Sequence, residues 1–275
     1  RLVGQRITAA WGQNFIIDNR AGAGGIIGSE AVVKAPPDGY TLFQCNIASS
    51  SIGEALYAKL PYSPQRDFIP ITLIGKAPNV LIVYPPLPAQ TLKDYIAYAR
   101  ANPGKLAYGT DTIGVTALVG QWFTKQTGVD MVAVPYKTVP QGVTDLIAGR
   151  IDLMVANLGA AIPQVQTKRL RALAVTGGAR WPLLPDTPTM KESGLPTYEW
   201  TFWNAAWLPA NTPHDIVTRM NEWINTALDR PRVKDYLLNS GSTAFGTSPA
   251  ELMKFQIAEH DKWRKVILAA KISAE

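Results

Sequence analysis

The stretch Asn19-Arg20-Ala21-Gly22-Ala23-Gly24-Gly25-Ile26-Ile27-Gly28-Ser29-Glu30, followed by Pro37-Asp38-Gly39-Tyr40-Thr41-Leu42, constrains the fold more than any other part of the chain. Phe15-Ile16-Ile17 ahead of it is a β-type run. Glycines 22, 24 and 25 turn the chain, and Ile26, Ile27, Ala31 and Val32 then recur at helical spacing. Pro36-Pro37-Asp38-Gly39 breaks the helix, and Tyr40 to Cys45 reads as a strand. The order is strand, tight turn, helix, turn, strand, which belongs to an α/β protein. The turn opens onto a helix N-terminus, whose unpaired backbone N–H groups suit an anion. Nucleotide readings fail on spacing. In G-x-G-x-x-G the third glycine position is held by Ile27, with Gly28 one residue late, and Gly28-Ser29-Glu30 lacks the lysine of a P-loop. Two readings stay open: a turn whose glycines only relieve steric crowding, and a contact to a small anion or carboxylate.

The alternation continues. Thr72–Ile74 and Val80–Val83 read as extended. Thr91 to Arg100 is a helix capped by Thr91, with Asp94 at its third position and Leu92, Ile96 and Ala99 on the buried face. Leu106–Tyr108 is a strand leading to a helix from Val115 to Thr127. Val132–Pro135, Ile151–Val155 and Leu170–Thr176 are further strands, with helices at Gly142–Ala148 and Ala160–Thr167. Tyr198–Leu208 is extended and rich in tryptophan. Thr212-Pro213 starts a helix with proline at the first position, Pro231–Ser240 forms another, and Ser248-Pro249-Ala250-Glu251 is a capping box that begins a terminal helix. The pattern divides into two lobes, residues 1–100 with 206–275 and residues 101–205. Crossovers near residues 75–105 and 200–208 would serve as the hinge, with a cleft where strand ends face helix N-termini. Arg1 to Trp11 places Leu2, Val3, Ile7, Ala10 and Trp11 on one helical face without an N-cap or a signal peptide, so further sequence is expected before Arg1.

Composition narrows the function. The 275 residues are 47% hydrophobic and 17% charged, ordinary for a globular protein with a substantial core. No apolar run approaches the ~18 residues that suggest a membrane span. One cysteine, Cys45, leaves no intrachain disulfide and no multi-cysteine metal site. His214 and His260 lie far apart in sequence, and no acidic metal cluster appears. The net charge of +6 is scattered, with Lys168-Arg169 and Arg171 its densest cluster, and no basic stripe speaks for nucleic acid. There is no G-x-S-x-G elbow, and neither Asp111 nor Asp152 has an evident proton-transfer partner. The chain therefore reads as a binding protein without catalytic, metal or cofactor residues.

Three strand-to-loop transitions resemble one another: Asn46-Ile47-Ala48-Ser49-Ser50-Ser51, then Gly109-Thr110-Asp111-Thr112 with Val115-Thr116 at a helix start, then Ala156-Asn157-Leu158-Gly159. Each offers small hydroxyl or amide groups and backbone N–H donors, which can hold a carboxylate without a buried cation. Taken singly, each is also an ordinary helix cap. Recurrence at several strand ends favours a ligand site. Trp200, Phe202, Trp203 and Trp207 suit a packed core; Trp203, at the return crossover, is the one placed as an apolar wall for a ligand.

These motifs together resemble the Bordetella uptake gene (Bug) family, the periplasmic solute-binding receptors of tripartite tricarboxylate transporters. The resemblance runs from Asp18 through Gly28, Ala31 and Pro37–Leu42. It continues in Tyr108-Gly109-Thr110, Gly114–Ala117, Val134-Pro135-Tyr136-Lys137 and Asp145–Asp152, then in Leu170–Thr176, Leu184–Thr189 and Leu208–Pro213. It implies a two-lobed periplasmic-binding-protein fold that closes on a small carboxylate. A monomeric, periplasmic receptor would then deliver its solute to membrane permease subunits. By position it implies ligand contacts at Asn46, Ala48, Ser49, Thr110, Thr112, Val115, Thr116, Tyr136, Asn157 and Trp203. The family's first strand and its Pro-x-x-x-Gly-Gly-x-x-Asp ligand loop would precede Arg1. Thr138–Gly142, Ala156 and Leu118 depart from the family pattern towards fewer polar groups, which points to an aromatic or larger apolar acid. Two other readings stand beside this one. One is the effector-binding domain of a transcriptional regulator, the other an enzyme on the same fold working through Asp111 or Asp152.

Overall fold

A computed structural model describes residues 8, 12, 14–20, 22, 25–57, 59–111 and 115–270. The helix expected over residues 1–11 lies outside the described residues except for Thr8, as do Ala21, Ala23 and Gly24 of the glycine-rich turn. The chain forms two compact units. The first runs up to Gly75 and resumes over Trp203–Tyr236 and Ala244–Arg264. The second comprises Lys76–Phe202, Leu237–Thr243 and the chain from Lys265. The first crossing is therefore at Gly75–Lys76, not at residue 100. The reason lies in pairing: the strand at 79–83 hydrogen-bonds into the second unit's sheet and carries the following helix with it.

The first unit is built on a four-stranded sheet in the order β1 (Phe43–Asn46), β8 (Phe202–Pro209), β2 (Phe68–Ala77), β9 (Thr243–Ala244). β1 and β8 are antiparallel, with Phe43 opposite Trp207 and Asn46 opposite Asn204. Helix α1 (Ile26–Val33) starts at Gly25, which has a left-handed φ of 100°, so the glycine there serves backbone geometry. The strand expected at Phe15–Ile17 does not form, and Ile16 and Ile17 are exposed. Three apolar residues have β-propensity only when a neighbouring strand and a buried face receive them. Helix α7 (His214–Leu228) and most of α8 (Pro231–Asn239) and α9 (Pro249–Ala270) also belong to this unit, the ends of α8 and α9 belonging to the second. Pro213 is the N-cap of α7, with φ −54° and ψ 140°, and not its first helical residue. The Ser248–Glu251 capping box of α9 forms as read, with Glu251 N donating to Ser248 Oγ at 3.2 Å and Ser248 N to the Glu251 carboxylate at 2.8 Å.

The second unit holds a five-stranded sheet in the order β5 (Met131–Tyr136), β4 (Leu106–Asp111), β6 (Leu153–Asn157), β3 (Asn79–Val83), β7 (Arg171–Val175). β4 runs parallel to β5 and β6, while β3 is antiparallel to both β6 and β7. Helices α3 (Leu92–Ala101), α4 (Val115–Thr127), α5 (Val139–Ile147) and α6 (Leu158–Gln166) flank it. Thr91 and Asp94 cap α3 reciprocally. One face of the sheet contributes Val80, Ile82, Met154 and Ala156 to a core shared with Leu146, Leu158 and Ile162.

Candidate functional site

In the first unit the candidate residues follow β1. The segment expected as a loop is a π-helical turn, Ala48–Ile52, running into α2 (Gly53–Leu56). Asn46 sets this turn: its Oδ1 accepts from Ala48 N at 2.9 Å, and its carbonyl accepts from Ser50 Oγ at 2.6 Å and Ser49 Oγ at 3.4 Å. Ser51 Oγ donates to the Gln256 carbonyl, Gln256 Nε2 to the Ser50 carbonyl, and Tyr62 Oη to the Ser49 carbonyl. The hydroxyl protons of Ser49 and Ser50 are thus spent on the turn itself, and that of Ser51 on the terminal helix. A Cβ at Gly25 would stand 3.3 Å from Ser49 Cβ, so the glycine-rich turn abuts the serine turn. Beneath lies Cys45, whose thiol burial pushes up to about 12, against the opposing effect of contacts to Ser50, Ser49 and Trp207.

Trp203 has no exposed surface. Its indole N–H donates to Glu259 Oε2 at 3.2 Å, and its ring meets Phe255 edge-on at 5.3 Å between centroids. It packs the first unit from inside.

In the second unit, β4, β5 and β6 are parallel, so their carboxyl ends fall on one edge of the sheet. At that edge Thr110 and Asn157 lie on one face of the sheet, whereas Tyr136, opposite Asp111, lies on the other, against the core around Met154; such strand ends are where open α/β sheets take ligands. Thr110 is 5% exposed, and its Oγ1 is buried with no hydrogen-bond partner among the described residues. Leaving a hydroxyl in that state costs ~1–3 kcal/mol unless something else bonds to it. Thr112 lies outside the described residues. Val115, which is buried, and Thr116, which is half-buried, open α4. Tyr136 Oη donates to Asp145 Oδ2 at 3.0 Å, and Asp145 also accepts from Arg150 Nη1 at 2.8 Å. Burial and then the Asp145 hydrogen bond hold the Tyr136 phenol above its ordinary value, while the hydrogen bonds from Tyr136 and Arg150 hold the Asp145 carboxyl low.

Asn157 is built like Asn46. Its Oδ1 accepts the N–H of Ala160 at 2.9 Å and caps α6. The capping reading holds for Asn157 Oδ1, whereas Asn46 Oδ1 closes a local turn on Ala48 N; in both residues Nδ2 remains a donor without a partner among the described residues. Behind Asn157 the chain is closely packed. A Cβ at Gly159 would come 2.8 Å from the Ser240 carbonyl oxygen, and one at Gly241 would come 2.6 Å from Leu158 Cβ and 2.7 Å from Gly159 N. Ala156 and Leu118, whose identities pointed to an aromatic acid, are 0% and 2% exposed and belong to the core. Alternation along β6 explains the first, since residue 156 faces the helices that 157 turns away from.

Among the described residues no group of three or more His, Cys, Asp or Glu side chains is disposed to hold a metal ion, and no helix is long and apolar enough to cross a membrane. The two mixed α/β units are the architecture of periplasmic solute-binding proteins, as close likenesses among solved structures show. The chain belongs to the tripartite tricarboxylate transporter receptor family, whose model matches residues 1–272. It is 32% identical to the protein BugT of Bordetella pertussis over 97% of this chain and 82% of that one. Among solved structures it is similar to Rpa4515 of R. palustris with adipate, at 36% identity and a TM-score of 0.91 over 99% of this chain and 92% of that one. It is also similar to the periplasmic binding protein BugD, at 27% identity and a TM-score of 0.87 over 98% and 91% of the two chains.

Proposed function

We propose that this receptor works in the periplasm as a monomer, captures a small carboxylate and passes it to the permease subunits of a tripartite tricarboxylate transporter. Asn46, Ala48 and Ser49 in the first unit, with Thr110, Thr112, Val115, Thr116, Tyr136 and Asn157 in the second, form the ligand-contacting set. Trp203 supports that set from within the first unit. The observation that carries the reading is the buried Thr110 Oγ1 without a partner, on the sheet edge shared with Tyr136 and Asn157. A bound carboxylate oxygen would satisfy it, joined by the spare Nδ2 donor of Asn157, in charge-assisted bonds that need no buried cation.

An aromatic acid is less well supported than an aliphatic one, because Ala156 and Leu118 are core residues. A relative at 36% identity was solved with adipate, which favours an extended aliphatic dicarboxylate. Thermal-shift and calorimetric screening of adipate, succinate, citrate, benzoate and terephthalate tests the reading. At least one acid is expected to raise Tm and to bind 1:1 to a species of monomer mass by light scattering. No binding by any carboxylate would overturn the reading, and a preference for benzoate and terephthalate would reverse the choice of ligand body.

A further inference from the structure

The polar groups assigned to the edge of the second sheet come from β4, β5 and β6. β3 brings another to the same edge. Because β3 is antiparallel to β6, its first residue, Asn79, pairs with the last residue of β6, Asn157. The β4–β6 register sets Tyr108 opposite Leu153 and Gly109 opposite Met154, so Thr110 extends to Val155, which pairs with Leu81. Side chains alternate along each strand, so Asn79, Asn157 and Thr110 share one face of the sheet, turned away from the Val80–Met154–Ala156 core.

Asn79 is 5% exposed, and its Oδ1 is buried with no hydrogen-bond partner among the described residues. Its main chain is fixed on both sides: N–H donates to Thr176 Oγ1 at 2.9 Å and C=O accepts from Thr176 N at 2.8 Å. The carboxamide therefore stands on a rigid frame and moves only about its own torsions, of which χ2 is soft. A strand otherwise wholly apolar and buried, Val80-Leu81-Ile82-Val83, opens with an amide whose oxygen has no partner among the described residues. Buried polar groups are almost always paired.

We propose that Asn79 is a specificity-determining ligand contact, whose carboxamide oxygen accepts from a hydroxyl or ammonium group carried by the captured carboxylate. A carboxylate has no proton to give at neutral pH, so this acceptor reads a second group on the solute, while Thr110 and Asn157 supply donors to the acid. The proposal rests on the receptor reading above and narrows the ligand to hydroxy or amino carboxylates.

Calorimetry of the whole chain with matched acids tests it: succinate against malate, adipate against 2-aminoadipate, benzoate against 4-hydroxybenzoate. The wild-type protein is expected to bind the donor-bearing member of at least one pair tenfold or more tighter. Asn79→Leu is expected to bring that ratio within threefold, chiefly by weakening the donor-bearing acid. Because leucine fills the site without an orphaned oxygen, the Tm of Asn79→Leu should hold or rise; Asn79→Ser repeats the measurement if the leucine variant does not fold. Equal binding of paired acids by the wild type, or a ratio that survives in both variants, means that Asn79 holds an ordered water only; the proposal then fails and the receptor reading stands. Absence of binding by every acid removes both.

Discussion

At the residue scale, the proposed function rests on side chains the fold leaves unsatisfied. Thr110 is the plainest case, buried in a strand with a hydroxyl that bonds to nothing among the described residues. Thr110→Val keeps the shape and removes the orphan, so its Tm should hold or rise, whereas ligand affinity should fall about tenfold, the equivalent of ~1.4 kcal/mol for one lost bond to a charged group. A parallel loss of Tm and affinity would mean that the hydroxyl is structural. Cys45 gives a second measurement. Its native thiol is held at about 12 against an ordinary 9.0, chiefly by burial. Below pH 9 the thiol is protonated in both states and native stability is untouched. As pH rises from 9 towards 12 only the unfolded thiol ionises, and stability falls by up to ~1.4 kcal/mol per pH unit. Tyr62, held at about 12 by burial, adds to the fall above pH 10. Alkaline melting of wild type against Cys45→Ser should show a shallower loss in the variant. The place of Thr110 at a strand end, on which its proposed role rests, was legible in the sequence. It did not make Asn79 legible, because an amide at the start of an apolar strand becomes unusual only once its burial and missing partner are known.

At the element scale, legibility followed from how local the deciding interaction is. The caps of α3 and α9 were readable because Thr91–Asp94 and Ser248–Glu251 are bonded within four residues. Phe15–Ile17 was misread because strand formation needs a partner that the local sequence does not specify. The turn after β1 was read as a loop because its conformation is fixed from far away, by Gln256 and Tyr62. The same distance effect governs the end of α8. Gly241 has a left-handed φ of 81° and caps the helix, with Ser242 N donating to the Leu237 carbonyl at 2.8 Å. It also lies against the main chain of Leu158 and Gly159, where α6 begins. Gly241→Ala is expected to cost upward of ~2 kcal/mol, since a left-handed residue with a side chain is strained and backbone cannot yield as a flexible side chain would. Because the clash falls one residue from Asn157, denaturant melts should show lower stability, and titrations should show weaker ligand binding. Normal stability in Gly241→Ala would refute this close approach.

At the scale of the whole molecule, ligand and stability are linked. A solute present at a hundred times its Kd adds about 2.7 kcal/mol to a receptor that binds it only when folded, which is why a thermal screen can identify the acid. The family was legible from motifs spread along the chain, and the α/β class from its alternation of elements. The crossovers read near residues 75–105 and 200–208 bracket those observed at Gly75–Lys76 and Phe202–Trp203, but the lobe boundary at residue 100 was misplaced, because it depends on which sheet β3 joins, and an apolar run of four residues fits either. One arrangement has a consequence for the order in which the protein is made. β8 lies between β1 and β2, so the first sheet lacks an interior strand until residue 209 has been synthesised. The early part of the chain carries two strands that cannot pair with each other in the native way. Until its distant partner arrives, the first sheet has no interior strand to join its two halves.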